Sequence, residues 1–202
     1  MKRIGGLFEQ VVSFQALVEA TRRAARAGGA RLTNEAASFC ADLELHCLEL
    51  RRTLLCGEYR PGDYHTFMLL KPKPRLISAA PFIDRVVHHS LCAALEPHLE
   101  RHAIFDSYAC RQGRGLHRAI ARAERFSRRF KVYLKLDIHH YFETIHHDTI
   151  KTLLRGRFKD ERLLKLCELI IDRGAPRLTK GQRFTYREPH EPTPRQLLPE
   201  SP

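Results

Sequence analysis

Six of the chain's eleven prolines fall within its last 29 residues, where no apolar periodicity accompanies them. Proline fixes φ and removes a backbone donor, so residues 174–202 have no means of contributing to a packed core and are expected to be disordered. Whatever folds must fold from residues 1–173. With 43% apolar residues the 202-residue chain has enough material for a core, so wholesale disorder is excluded. No run approaches the ~18 to 20 apolar residues that span a bilayer, and Met1–Gly6 lacks the apolar stretch of a secretory signal. A soluble, cytoplasmic protein with no membrane partner is the expectation.

Within the foldable part, Gly and Pro divide the chain into segments. Phe8, Val11, Val12, Leu17 and Val18 share a helical face in residues 8–27, which Gly28-Gly29 ends. Thr33 or Asn34 caps a second helix, with Phe39, Leu43, Cys47, Leu50 and Leu54 at spacings of three and four before Gly57. After the turn at Pro61-Gly62, residues 64–70 and 75–79 read as two strands separated by Lys71-Pro-Lys-Pro74, a stiff hairpin projecting Lys71, Lys73 and Arg75. Pro81 opens a third helix on Val87, Leu91, Leu95 and Leu99, with Pro97 expected to kink or end it.

Beyond the loop at residues 105–115, a helix starting at Leu116 carries Arg118, Arg122, Arg125, Arg128 and Arg129 on one side. A solvated face would look the same. The formal charge of +12 and the adjacent basic hairpin favour a phosphate-binding face instead, with nucleic acid the first candidate partner. Lys131–Ile138 alternates as a strand does and delivers Asp137 at its end. Short helices follow at residues 147–154 and 161–171. Six cysteines with no C-x-x-C spacing read as small buried hydrophobes in a reducing compartment, and histidines in adjacent pairs point apart, which makes them poor metal sites.

An acidic strand end is by itself more often a cap than a ligand. Here it stands in Leu136-Asp-Ile-His-His-Tyr-Phe-Glu-Thr-Ile-His146, which resembles the first metal-binding motif of the reverse transcriptase palm. Lys73-Pro-Arg-Leu-Ile77, Pro81-Phe-Ile-Asp-Arg-Val-Val-His-His-Ser-Leu91 and Asp106-Ser-Tyr-Ala-Cys-Arg-Gln-Gly-Arg-Gly-Leu-His117 look, in that order, like the fingers and early palm of bacterial reverse transcriptases. The likeness spans residues 57–172 and is strongest to the enzymes of diversity-generating retroelements, with those of group II introns and retrons as relatives.

The resemblance implies an RNA-directed DNA polymerase acting by two-metal nucleotidyl transfer on an RNA template, a DNA primer and deoxynucleoside triphosphates. Asp137 and the carbonyl of Ile138 would bind Mg²⁺, a hard cation suited to oxygen ligands. Phe142 would abut the sugar of the incoming nucleotide, although it and Tyr141 also suit a core. Arg75, with Lys71 or Lys73, would hold the triphosphate. Arg85, Arg111 and Arg114 would be structural or template-contacting, and Arg118 and Arg122 would meet nucleic acid from the basic helix.

The pattern is incomplete. Two Mg²⁺ ions need further carboxylates, supplied in the family by an aromatic-x-Asp-Asp turn, and no Asp-Asp pair occurs in this chain. The expectation is therefore an α+β fold: an N-terminal helical segment (1–56), a fingers-like region (57–130), a partial palm (131–173) and a Pro-rich tail (174–202). Such a truncated enzyme would be inactive alone: either a second polypeptide supplies the rest of palm and thumb, giving a split enzyme, or the product is a marginal remnant. It would leave a bare sheet edge at residues 131–138 and poorly covered apolar faces in residues 149–171. The alternative is a non-catalytic module that binds RNA or an RNA/DNA hybrid. A metal-dependent nuclease that uses Asp137 with the histidines, Asp148 or Glu143 being recruited in space, is the third reading.

Overall fold

The computed structural model describes residues 3–26, 33–70, 72, 75–138 and 145–174. Among these, eight helices accompany one two-stranded antiparallel sheet, a helix-rich α+β arrangement. The helices are α1 (Phe8–Val11), α2 (Phe14–Arg26), α3 (Asn34–Ala41), α4 (Leu43–Cys56), α5 (Phe82–Glu100), α6 (Leu116–Arg129), α7 (His147–Arg157) and α8 (Glu161–Arg173). The strands β1 (His65–Leu69) and β2 (Arg75–Ala79) form the hairpin that the sequence predicts, in a register from His65 opposite Ala79 to Leu69 opposite Arg75. No helix among the described residues is long and apolar enough to cross a membrane.

Two helices that the periodicity predicts as continuous are each broken. The first divides at Ser13, whose hydroxyl donates to the Gln10 carbonyl at 3.0 Å and accepts from Ala16 N–H at 3.2 Å. A side chain that bonds the backbone locally competes with the helical ladder. The second divides at Asp42, with φ −117° and ψ 50°, after the Thr33 cap has accepted from Ala36 N–H as expected. Gly57 then ends α4 in the left-handed region at φ 71°, where a Cβ is unfavourable. Pro97, by contrast, does not stop α5, which runs on to Glu100.

The core joins the two ends of the described chain. Val11, Leu17, Ala24, Leu50, Val87 and Leu91 lie in the same buried cluster as Leu163, Leu164, Leu166 and Cys167 of α8. The expected bare faces of residues 149–171 are thus filled at α8 by the N-terminal helices, and only Leu153 of α7 stays largely exposed, at 62%. Burying a Leu side chain contributes ~1.5–3 kcal/mol, so α8 is a main support of the fold. A short strap secures it. Ile4 N–H donates to the Arg157 carbonyl at 2.9 Å, Lys159 N–H donates to the Ile4 carbonyl at 2.7 Å, and Phe8 N–H donates to Asp160 Oδ2 at 2.9 Å.

Two further expectations are corrected. Residues 131–138 form no strand: no backbone hydrogen bond joins them to another described residue, and among the described residues no strand lies alongside to receive one. Of the six cysteines, all free, only Cys47 and Cys167 are buried; Cys40, Cys56, Cys92 and Cys110 are exposed. Cys47 and Cys167 lie on the apolar stripes of α4 and α8, and burial raises both thiol pKa values, that of Cys167 to about 12. The predicted disorder of the tail falls on residues 175–202, outside the described residues.

Candidate nucleic-acid interface

The basic hairpin is set on the core by a buried carboxylate. Asp84, in the first turn of α5 and 1% exposed, accepts from Tyr59 Oη at 2.6 Å and from Gly62 N–H at 2.8 Å. Burial, then the neighbouring Asp84 carboxylate, push the Tyr59 pKa far upward, so the phenol stays protonated and keeps donating. Gly62 is needed for this approach: a Cβ there would lie 2.9 Å from Pro81 Cγ. Arg173, at the end of α8, donates to the Gly62 carbonyl at 3.2 Å and pairs with Asp63. Both ends of the core therefore fix the base from which β1 leaves.

Past α5 the chain turns through residues 101–115, a loop organised by one arginine. Arg111 meets Glu100 with Nε at 2.8 Å and Nη2 at 2.6 Å, and its Nη1 donates to the carbonyls of Ile104 at 2.8 Å and Ser107 at 3.0 Å. Its guanidinium lowers the Glu100 pKa, chiefly through these hydrogen bonds. Arg122 of α6 grips the same loop by donating to both oxygens of Asp106, at 2.8 and 3.2 Å, which lowers that carboxyl's pKa too. Arg114 stacks 4.4 Å from the Phe105 ring centroid, and Arg122 lies 4.5 Å from that of Phe126.

The helix these contacts aim is two-faced. Leu116, Ala119, Ile120, Ala123 and Phe126 share one side, Arg118, Arg122, Arg125 and Arg129 the other, and no residue of α6 is buried. Arg118 and Arg129 are eleven residues apart, about 16 Å along the axis. With Arg122 engaged by Asp106, the exposed Arg118, Arg125 and Arg129 form a row of cations of that length that can follow a phosphate backbone.

The residues expected at a polymerase site are distributed unevenly. Arg75 opens β2; Lys71, Lys73 and Phe142 lie outside the described residues. Arg85 sits half-buried on α5 with its guanidinium 5.3 Å from the Phe82 centroid. Asp137 is exposed, and its Oδ1 accepts from the N–H of Ile138 at 2.9 Å. Two Mg²⁺ ions need several oxygen ligands in a cage. Asp137 and the Ile138 carbonyl offer one carboxylate and one carbonyl, and among the described residues no cluster of three or more metal-ligating side chains forms around them. That donor set does not fit a two-metal centre.

Sequence reasoning missed the Tyr59–Asp84 lock, which joins residues 25 apart with no local signal. It also missed the Asp160 cap of α8, which was legible: an Asp directly before Glu161 and the apolar run from Leu163.

No protein-family model matches this chain. It is similar to Protein YkfC of Escherichia coli (strain K12), with 28% identity over 132 residues, which cover 62% of this chain and 35% of that protein. The match thus takes in about a third of the relative's length.

Proposed function

We propose that the chain is the fingers and first palm portion of a reverse transcriptase-type RNA-directed DNA polymerase, and that by itself it grips an RNA or RNA/DNA-hybrid backbone without extending a primer. The observation that carries the reading is the unburied basic face of α6, tied by Arg122 to the loop that Arg111 organises. The four ordered sequence blocks supply the family. In this reading Arg118, Arg125 and Arg129 meet phosphates, Arg75 at the start of β2 is the residue the likeness assigns to the triphosphate, and Arg111 and Arg122 hold the loop.

The non-catalytic form of the reading is favoured by Asp137, a single carboxylate turned onto its own backbone. Synthesis would need the remaining palm and thumb from a second polypeptide, with Mg²⁺ and deoxynucleoside triphosphates. The test is binding of a labelled RNA/DNA hybrid across a salt series. Affinity should fall with a log–log slope of roughly −0.7 to −0.9 per phosphate neutralised, and Asp137→Ala should leave it unchanged. Primer extension by the purified chain, abolished by Asp137→Ala, would overturn the non-catalytic assignment; salt-independent binding would overturn the interface.

A further inference from the structure

Residues 131–138 carry a strand's pattern without a strand's partners among the described residues. Val132, Leu134, Leu136 and Ile138 alternate with Lys131, Tyr133, Lys135 and Asp137, yet the four apolar side chains are 86, 80, 80 and 65% exposed. Phe130 already leads into the segment with extended dihedrals, φ −118° and ψ 131°. An apolar face of this kind, beside backbone groups that bond to no other described residue, is a template for another strand.

The segment is complementary to itself. Placed antiparallel to a second copy with Leu134 opposite Leu134, it sets Val132 opposite Leu136 and Phe130 opposite Ile138 on the apolar face. On the other face Lys131 stands opposite Asp137 and Tyr133 opposite Lys135. A register shifted by two residues sets Lys131 against Lys135 in one direction and Lys135 against itself in the other, and a shift of one residue turns apolar side chains onto charged ones. Charge thus selects one register, and that register is two-fold symmetric, as a homodimer contact must be.

We infer that two copies of this chain associate through residues 130–138, paired as an antiparallel ribbon centred on Leu134. A two-stranded ribbon is marginal in water unless one face is covered. The apolar stripe of α6, with Leu116, Ile120 and Phe126 all exposed, ends within a few residues of the ribbon and supplies that cover. Lys131 and Asp137 neutralise each other across the two copies. The pairing occupies Asp137, and it stands independently of the polymerase likeness.

Sedimentation velocity of the full chain over a concentration series tests this. The chain should dimerise. Lys131→Asp and Asp137→Lys alone should each weaken the dimer by about tenfold or more, since like charges then face each other twice. The double variant, which restores opposite charges in the same register, should return to within about threefold of the parent. All these positions are exposed, so the monomer fold should survive, and circular dichroism monitors that. A monomer at every concentration, a dimer indifferent to the single reversals, or a double variant no better than either single one overturns the pairing. The first result would leave the surface to a strand of a different protein.

Discussion

Tyr59 Oη lies 2.6 Å from Asp84 Oδ1, and this bond, with Gly62 N–H on the other carboxylate oxygen, joins the end of the helical core to the root of the hairpin. Tyr59→Phe should cost ~1–3 kcal/mol, because a buried carboxylate then loses a donor. Asp84→Ala should cost as much or more, and Gly62→Ala should also destabilise through its contact with Pro81. Thermal unfolding checks all three, and an unchanged midpoint for Tyr59→Phe would show that the bond is idle.

Arg111 is expected to act on order rather than on binding charge. Arg111→Ala should open residues 101–115 to limited proteolysis while the core melts near the parent temperature, and Arg111→Lys should not rescue, since an ammonium lacks the planar fork. Equal cleavage in the parent and the Ala variant would refute this.

Arg118→Glu with Arg125→Glu should weaken hybrid binding and make the salt slope shallower by about 1.4 to 1.8, the contribution of two phosphates. Filter binding at several salt concentrations reads both quantities. A loss of affinity with the slope intact would mean that these side chains act indirectly.

Acid should destabilise the fold through His88. Burial lowers its pKa from the ordinary 6.5, more than the neighbouring Asp84 raises it, so the unfolded chain takes up the proton first. Its contribution is present above pH 6.5 and is lost progressively as pH falls below that value towards the depressed folded pKa. The melting temperature should drop over that interval, and His88→Gln should flatten the drop. At lower pH, protonation of Glu100 and Asp106, both depressed by arginines, should release the loop.

Asp160→Ala removes a cap and the tie to Phe8 together. A loss of ~1–2 kcal/mol is expected, measured by urea unfolding, with Asp160→Asn retaining part of it.

Local patterns carried much of this structure, and their failures have local causes. The hairpin, the Gly57 stop and the Thr33 cap follow from turn and capping chemistry within a few residues. The break at Ser13 was also local, but apolar periodicity gives no weight to a hydroxyl. The strand ending at Asp137 failed differently. Its alternation is genuine, but a strand needs a neighbour, and the described chain offers none. For the interface, the basic helix was plain in the sequence, but the division of labour on it was not. Arg111 and Arg122 find their acids at Glu100 and Asp106, eleven and sixteen residues away, so composition cannot separate clamps from free cations.

The strap from Ile4 and Phe8 to residues 157–160 sets an order on biosynthesis. While the chain leaves the ribosome, helices α1, α2, α4 and α5 wait with an uncovered side until α8 emerges, more than 60 residues after α5 is complete. Nascent chains arrested with α8 still in the exit tunnel should be digested faster than those arrested after its release.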